Sequence, residues 1–351
     1  MDISEIVAIR LANHQLSVTN FKSPHEVVSW MGAMQAQDFS MCKWAVGIRM
    51  PGITDAKVEE EFNKSEFVRI HILRPTWHIV SKNDVHWMRE LSTPRLKSLL
   101  KSHDRSMGFN DDSILKANHI IAKALKNDHL TKQEIGEVFV RCRMPLNDKQ
   151  LNQALLHAEL DGIICNGYAR SKYCLLDEKN PKKIKLNKEE AIHRLASRYF
   201  SSHGPATVQD FSWWSGMSIT EARKAMNYIR HEFIFETINS QTYVFKYPSI
   251  NYKLNTDIVH FLPNYDEYFI GYRDRKDILP QEHLKKVIVN AGAFKATIIK
   301  NGKIIGTWRK TINRNNRNIL FEYEYFYPED NGQAPLYARA ASSMEKFFKE
   351  V

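Results

Sequence analysis

The sequence predicts an α+β fold, in which groups of three helices and a β-hairpin repeat along the chain before a small β-barrel. Three observations favour this architecture: one such group at residues 112–178, a second with the same order of elements at 187–247, and strand-rich sequence from about residue 256. The chain has 351 residues, 43% of them apolar and 26% charged, which is an ordinary globular composition. A chain of this length accommodates two to four compact units.

The group at 112–178 contains three amphipathic segments. The first, DSILKANHIIAKALKN, has apolar residues at helical spacing. The second, LTKQEIGEVFVRC, opens with Thr131 and Glu134, which have the spacing of a capping box. The third, NDKQLNQALLHAELDG, ends at Gly162, a typical residue for a helix end. Two short strands, IIC and YCLL, flank the loop NGYARSK. Three helices and a hairpin make a winged helix, whose third helix normally enters the major groove of DNA while the hairpin touches the backbone. The candidate DNA contacts of this group are Lys149 and Gln153 in the third helix, and Arg170 and Lys172 in the hairpin.

Two further stretches repeat this order. At 187–247 the helices NKEEAIHRLASRYFSSHG, ATVQDFSWW and SITEARKAMNYIRHE precede the hairpin FIFETINSQTYVFK. The first eighty residues form a looser copy, with the helices ISEIVAIRLANHQL, SPHEVVSWMGAM and TDAKVEEEFNKSE and two strands in FVRIHILRPTWHIVS. The sequence therefore predicts winged-helix units at 1–104, 105–180 and 186–250.

The remaining residues, 255–351, are predicted to form the small β-barrel. The segments DIVHFLPNYDEYFIGY, VIVNAGAFKATIIKNGKIIGTWRKTI and NILFEYEYFY are rich in strand-forming residues. Asn301 and Gly302 predict a type I′ turn in a tight hairpin. The segment PLYARAASSMEKFFKEV predicts a helix that closes the barrel.

The formal net charge of +10 favours a polyanionic partner, with nucleic acid first. The N-terminal segment is acidic and helical in period, unlike a signal peptide, and no apolar run approaches the ~20 residues that span a bilayer. The cysteines, none of which form a C-x-x-C pair, are expected to be buried reduced thiols. We therefore expect a cytoplasmic, nucleoid-associated protein that binds no membrane, metal or cofactor.

The stretch GAMQAQDF places Gln35 and Gln37 one residue apart, where an amphipathic helical pattern ends. Residues two apart on a helix point roughly 200° away from each other, because the helix has ~3.6 residues per turn. If the helix ends near Met34 and the chain extends, the two side chains face one side and can share a target. The spacing alone leaves open both this arrangement and a solvent-exposed helix end.

MGAMQAQD resembles the Gln-apolar-Gln motif of the AlkZ/YcaQ-like winged-helix DNA glycosylases. Further stretches resemble the same family in the same order: LRPTWHIVS, LLHAELDGIIC, HGPATVQDFSWWSGM and FLPNYDEYFIGYRDR. The resemblance covers nearly the whole chain. It implies a C-shaped array of winged helices with a C-terminal β-barrel, and an enzyme that cleaves the N-glycosidic bonds of bulky N7-alkylated purines, including interstrand crosslinks. A related branch has Asp in place of the second Gln, so Gln37 places this chain nearer the AlkZ-like branch.

The same resemblance assigns the catalytic role to Gln35 and Gln37. An N7-alkylated purine is already cationic, so it leaves without protonation by an acid. A glutamine carbonyl can accept a hydrogen bond from the attacking water and turn its dipole towards the sugar, although it is not a strong base. Asp38, the next residue, is a weaker candidate for a carboxylate that assists the reaction.

The resemblance also indicates DNA contacts outside the glutamine pair. Arg74 and His78 of LRPTWHIV are expected in the DNA cleft near the glutamines, with a buried core histidine as the alternative for His78. The family uses a barrel hairpin against DNA, and IIKNGKIIGTWRK is the best match to it. The basic run RKTINRNNR is expected to contact phosphates. The candidates in the barrel are Lys303, Arg309, Lys310, Arg314 and Arg317.

Two pairs of neighbouring residues have competing interpretations. Trp213 and Trp214 could stack on bases, but their place in an amphipathic segment favours the core. Asp266 and Glu267 could act as acids in glycoside-type chemistry. The favoured interpretation of these carboxylates is that they form ion pairs with Arg273 and Arg275.

Two functional hypotheses follow from the sequence. The first is a monomeric, monofunctional DNA glycosylase that acts on alkylated double-stranded DNA. The second is a winged-helix DNA-binding protein without catalysis, such as a regulator or an architectural factor. The fold and the charge support both hypotheses equally, and only the glutamine pair and the family resemblance favour the enzyme.

Overall fold

The computed structural model describes residues 1–168, 171–248, 259–289, 292–312, 319–327 and 334–349. The helices in chain order are α1 (Ile3–Asn13), α2 (Pro24–Met31), α3 (Phe39–Gly47), α4 (Asp55–Asn63), α5 (Val85–Ser106), α6 (Asp111–Ala124), α7 (Lys132–Arg141), α8 (Asp148–Leu160), α9 (Leu176–Lys179), α10 (Lys188–His203), α11 (Val208–Ser215), α12 (Ile219–Tyr228), α13 (Glu267–Ile270), α14 (Leu284–Val287) and α15 (Ala334–Lys349). The strands are β1 (Ala33–Gln35), β2 (Phe67–Ile72), β3 (Thr76–Ser81), β4 (Ile164–Tyr168), β5 (Lys172–Leu175), β6 (Ile234–Ile238), β7 (Gln241–Phe245), β8 (Val259–Leu262), β9 (Ile288–Val289), β10 (Ala293–Phe294), β11 (Ala296–Lys300), β12 (Lys303–Ile312) and β13 (Ile319–Tyr325).

The chain divides into two compact units by its internal contacts. The first comprises Met1–Val58 and Ala196–Val351, and the second comprises Glu59–Leu195. Within the described residues, no helix has the length and apolar character needed to cross a membrane.

The second unit contains the helices and hairpin predicted at 112–178. Helices α6, α7 and α8 are followed by the antiparallel pair β4–β5, as the sequence predicts. A capping box at Thr131 and Glu134 begins α7, and Gly162 follows α8 with the left-handed φ of 74° that a helix end of this kind requires. The apolar faces of the three helices meet in one core, whose fully buried members include Ile121, Ile135, Phe139 and Ala158.

The hairpin of this group extends a sheet made by the first predicted hairpin. β2 and β3 pair antiparallel from Phe67 opposite Ser81, and the turn between them contains Arg74 and Pro75, as predicted. β2 also pairs with β4 where Arg69 lies opposite Asn166. The strands of the second unit therefore follow the order β3-β2-β4-β5.

The group predicted at 187–247 also has the expected elements. α10, α11 and α12 precede the hairpin β6–β7, which turns at Asn239 and Ser240 with φ of 48° and 63°. Thr207 caps α11 and forms a capping box with Asp210. The side chain of Asp210 is buried, and its other oxygen accepts the backbone N–H of Arg273 at 2.8 Å.

The N-terminal segment contains the predicted α1, α2 and α4, but also helices that the sequence analysis missed. α3 spans nine residues directly after the glutamine pair, and α5 spans 22 residues. In α3, Met41 to Gly47 are all buried. A helix enclosed on all sides lacks the polar stripe from which an amphipathic pattern is recognised, which explains why α3 was missed.

The C-terminal strands form an antiparallel sheet in the order β13-β12-β11-β8. Asn301 and Gly302 connect β11 to β12 with φ of 50° and 80°, which confirms the predicted type I′ turn. The predicted strand character of YDEYFIGY is wrong, because Glu267–Ile270 form the short helix α13. Phe347 of α15 packs against Trp44 of α3 with ring centroids 5.0 Å apart.

Candidate active site

The glutamine pair lies between two helices, with Gln35 at the end of a short strand and Gln37 in a bend before α3. α2 ends at Met31, Gly32 adopts a φ of 78°, and Ala33–Gln35 form the short strand β1. Gln35 is half-buried, Ala36 is fully buried, and Gln37 is exposed. α2 therefore ends before the pair, which a shared target requires, while the chain is extended at Gln35 and bends at Gln37.

Asp38 starts α3 and acts as its N-cap. Its Oδ1 atom accepts a hydrogen bond from the backbone N–H of Met41 at 3.1 Å. The carboxylate satisfies an otherwise unpaired donor at the helix start and lies favourably in the helix dipole. This contact gives Asp38 a structural function that the sequence analysis did not assign to it.

A buried carboxylate contacts the backbone of the glutamine pair. The N–H of Gln35 donates to Oε1 of Glu267 at 2.8 Å, and Nε1 of Trp214 donates to Oε2 at 3.0 Å. Nε2 of His203 lies 3.5 Å from the same Oε2 atom. Glu267 is 1% exposed, so the N–H groups of Gln35 and Trp214 replace the water that would otherwise solvate the charge. Burial lowers the pKa of His203, with Glu267 opposing this effect, so the imidazole is neutral near pH 7.

The neighbouring carboxylate of Asp266 forms a buried ion pair with Arg49. The Nη1 and Nη2 atoms of Arg49 each lie 2.8 Å from an oxygen of Asp266. Arg49 also donates to the backbone carbonyls of His14 at 2.9 Å and Ala45 at 2.7 Å. The predicted pairing of Asp266 and Glu267 with Arg273 and Arg275 is therefore wrong.

Lys310 of β12 lies close to the start of α3. Its ammonium donates to Oγ of Ser40 at 2.9 Å and stacks over the Phe348 ring, 3.7 Å from the centroid. Burial lowers the pKa of Lys310, and the carboxylates of Asp38 and Asp55 oppose this effect. Lys310 thus places a positive charge beside the helix that follows the glutamine pair.

The other basic candidates of the C-terminal strands differ in their surroundings. Arg309 is exposed and pairs across the sheet with Glu322 at 2.5 Å. Lys303 is exposed at the beginning of β12. Arg314 and Arg317 lie outside the described residues, as does Arg170 of the β4–β5 loop.

The turn of the β11–β12 hairpin is packed inside the first unit. Gly302 is buried, and the hydroxyl of Tyr268 donates to its carbonyl at 2.9 Å. A Cβ atom added at Gly302 would lie 2.3 Å from Cγ1 of Val7 in α1. The expectation that IIKNGKIIGTWRK supplies the hairpin that contacts DNA is wrong for this turn, because its tip is occupied by core contacts.

His78 and Arg74 lie in the second unit. His78 is fully buried, and its Nδ1 atom lies 2.9 Å from the backbone carbonyl of Thr76. Burial, followed by the charge of Arg74, lowers the pKa of His78 well below its ordinary value. His78 is therefore a neutral core histidine, which is the alternative given for it above, and its place in a DNA cleft stays a prediction. Arg74 is half-buried.

The third helix of the group in the second unit presents a different polar face from the one predicted. Lys149 is exposed and Lys172 of the hairpin is partly exposed. Gln153 is 4% exposed and donates to Oδ1 of Asp104 at 2.5 Å, beside His157. The amide of Gln153 is used inside the unit, so that a contact between Gln153 and DNA stays a prediction.

The two tryptophans of α11 have different environments. Trp214 is fully buried, as the core interpretation predicts, and its indole N–H reaches Glu267. Trp213 is 42% exposed, and its indole N–H donates to the carbonyl of Ile270 at 3.1 Å. Both indoles therefore fix α11 to α13, the helix that carries the carboxylate under Gln35.

Comparison with known proteins agrees with this architecture. Residues 28–342 match the family described as DNA glycosylase AlkZ-like, and the chain belongs to that family. The interstrand DNA cross-link repair glycosylase of Streptomyces sahachiroi is 20% identical over 334 residues, covering 87% of this chain and 86% of that protein. The solved structure of the Streptomyces sahachiroi DNA glycosylase AlkZ has a similar fold, with a TM-score of 0.79, 19% identity and 97% of both chains covered.

Proposed function

We propose that this protein is a monofunctional DNA glycosylase that hydrolyses the N-glycosidic bond of N7-alkylated purines, including those in interstrand crosslinks. Family membership and the name of the Streptomyces sahachiroi relative support a glycosylase acting on damaged DNA. The observation that carries the proposal is that α2 ends before the glutamine pair, which flanks the buried Ala36 and leaves Gln37 exposed. The net charge of +10 suits a polyanionic substrate.

In the proposed reaction, alkylation at N7 makes the purine a cationic leaving group. The transition state then resembles an oxocarbenium ion, which favours a site with acceptor dipoles over one with an acid. The carbonyl oxygens of Gln35 and Gln37 orient the attacking water and direct their negative ends towards the developing positive charge. A neutral amide is a weak base, so the proposed site discriminates against undamaged purines, which need protonation before they can leave.

For DNA binding, we propose tandem winged-helix units at 1–104, 105–180 and 186–250, followed by a barrel domain at 255–351. Exposed or partly exposed side chains supply the phosphate contacts that do not depend on sequence. We assign the barrel contact with DNA to the basic run RKTINRNNR, which begins in β12. The proposed contacts are Arg74, Lys149, Lys172, Lys303, Arg309 and Lys310 among the described residues, together with Arg170, Arg314 and Arg317.

The proposal is tested by incubating the purified protein with a duplex that carries one N7-methylguanine, and with the same duplex undamaged. Free N7-methylguanine measured by mass spectrometry, with no release of normal bases, is the expected result. A duplex with an N7-linked interstrand crosslink tests the wider substrate range. Tight, salt-sensitive binding without base release from either substrate would contradict the glycosylase and indicate a DNA-binding protein without catalysis.

A further inference from the structure

We propose that Glu267 is a positioning residue that holds the Gln35-Ala36-Gln37 segment in its reactive conformation. The inference rests on the proposed glycosylase function and deepens it. Glu267 does not touch the substrate in this proposal, but acts through the backbone of Gln35. The observation that supports this proposal is the hydrogen bond from the Gln35 N–H to Oε1 of Glu267 at 2.8 Å.

The hydrogen bond completes a set of restraints on the segment. The methyl group of Ala36 is fully buried on one side, and Asp38 is fixed by its cap contact with Met41. β1 ends at Gln35, so the bond to Glu267 acts where the strand stops. A hydrogen bond to an ionised carboxylate is stronger than one between neutral groups, and it fixes the rotation of the peptide that precedes the Gln35 side chain.

The carboxylate is itself held firmly. Trp214 donates to its second oxygen at 3.0 Å, and the residue before it, Asp266, is clamped by both terminal nitrogens of Arg49. Glu267 is therefore at the start of a helix that cannot shift without breaking a buried ion pair. Catalytic groups need this support, because a misplacement of about 1 Å can cost on the order of 100-fold in rate.

Burying a carboxylate is unfavourable unless the charge is satisfied, so packing alone gives no reason for a glutamate at this position. An apolar side chain of similar volume would fill the space at lower cost. Glu267 offers one oxygen to Trp214 and the other to the glutamine segment, which an apolar residue cannot do. A role in positioning the Gln35-Ala36-Gln37 segment therefore explains why a charged residue lies at position 267, whereas packing alone does not.

The test compares Glu267→Gln, Trp214→Phe and the double variant in the full-length protein. In Glu267→Gln, an amide oxygen turned towards Gln35 leaves the amide N–H₂ facing the indole N–H of Trp214, so the two donors conflict. Trp214→Phe removes the other hydrogen bond of Glu267 and keeps the one to Gln35. The double variant removes the conflict and lets the new amide oxygen at position 267 accept the Gln35 N–H again.

The readouts are hydrogen exchange of the Gln35 amide and the single-turnover rate of N7-methylguanine release at saturating DNA. We expect exchange at least tenfold faster and release at least tenfold slower in Glu267→Gln, smaller changes in Trp214→Phe, which keeps the bond to Gln35, and values in the double variant restored to the level of Trp214→Phe. A purely structural role predicts that the two substitutions damage the enzyme additively, so the absence of rescue in the double variant would overturn the proposal. Unchanged exchange, or unchanged release, in Glu267→Gln would also overturn it.

Failure of the proposed function is recognised separately. Wild-type protein that releases no base from alkylated DNA contradicts the glycosylase before any variant is measured. The hydrogen exchange of Gln35 does not depend on activity and still decides the anchoring. In that case faster exchange in Glu267→Gln supports the anchor, and unchanged exchange overturns it.

Discussion

The buried ion pair between Arg49 and Asp266 is expected to contribute strongly to the stability of the first unit. Arg49→Met leaves the carboxylate of Asp266 buried, with the backbone N–H of Tyr268 at 2.9 Å as its remaining described donor. The side chains of the pair are 0% and 1% exposed, so water cannot replace the lost guanidinium. Removing one member of a buried pair costs about 3–5 kcal/mol, and we expect Arg49→Met to fall in this range.

A double-mutant cycle separates the pair from simple loss of packing. Asp266→Asn keeps an oxygen for Tyr268 but leaves the Arg49 charge without its counter-ion. The double variant Arg49→Met with Asp266→Asn keeps neither charge of this pair. We therefore expect its loss in free energy of unfolding to be about 2 kcal/mol smaller than the sum of the losses in the two single variants.

Urea denaturation followed by tryptophan fluorescence measures these changes, since Trp44 and Trp214 both lie in the first unit. Arg309→Met is the matched control, because Arg309 also pairs with a carboxylate, Glu322, but the two side chains are 70% and 52% exposed. We expect no measurable change in its urea midpoint. Equal effects of Arg49→Met and Arg309→Met, or additive effects in the cycle, would refute the argument.

Three further predictions follow from the structure. Burial lowers the pKa of His260 to about 4, so the unfolded chain takes up a proton below pH ~6.5 that the folded state excludes. The free energy of unfolding should therefore fall by about 1 kcal/mol from this group between pH 7.5 and 5.5. A urea midpoint that does not change with pH would contradict this prediction. Gly302→Ala should lower the free energy of unfolding by about 1–3 kcal/mol in the same assay, because the φ of Gly302 is 80° and the new methyl group would collide with Val7. A variant as stable as wild type would show that the turn is not packed against α1. Lys149→Ala and Lys172→Ala should each reduce the salt slope of DNA affinity by about one. Gln153→Ala should leave the DNA affinity itself unchanged, and weaker binding by a folded Gln153→Ala protein would restore Gln153 as a contact.

Local signals in the sequence predicted much of the fold. The capping box at Thr131 and the turn at Asn301-Gly302 depend on neighbouring residues, and each lies where it was predicted. α3 was missed because it is buried on nearly every side and shows no amphipathic period. The aromatic residues of the short helix α13 favour strands, which is why the sequence predicts a strand there, but Asp266 caps the segment as a helix.

The candidate site was predicted only in part. The sequence identified Gln35 and Gln37 and gave the condition for a shared target, but their support comes from residues far away in the chain. Gln35 and Glu267 are 232 positions apart, and Arg49 and Asp266 are 217 apart, so no spacing rule connects them. The sequence singled out Glu267 and gave it the wrong partners. Gln153 was assigned to the outer face because a polar side chain in a helix is usually exposed, but Asp104 satisfies it inside the unit.

The central claim is that the glutamine pair forms the active site of a DNA glycosylase. The most direct measurement is the single-turnover release of N7-methylguanine from duplex DNA by wild type, Gln35→Ala and Gln37→Ala, with Gln133→Ala, an exposed glutamine of α7, as the control. We predict release by wild type and the control, and a loss of about 100-fold or more in Gln37→Ala at unchanged DNA affinity. Release by Gln37→Ala and Gln35→Ala at the wild-type rate would contradict the assignment.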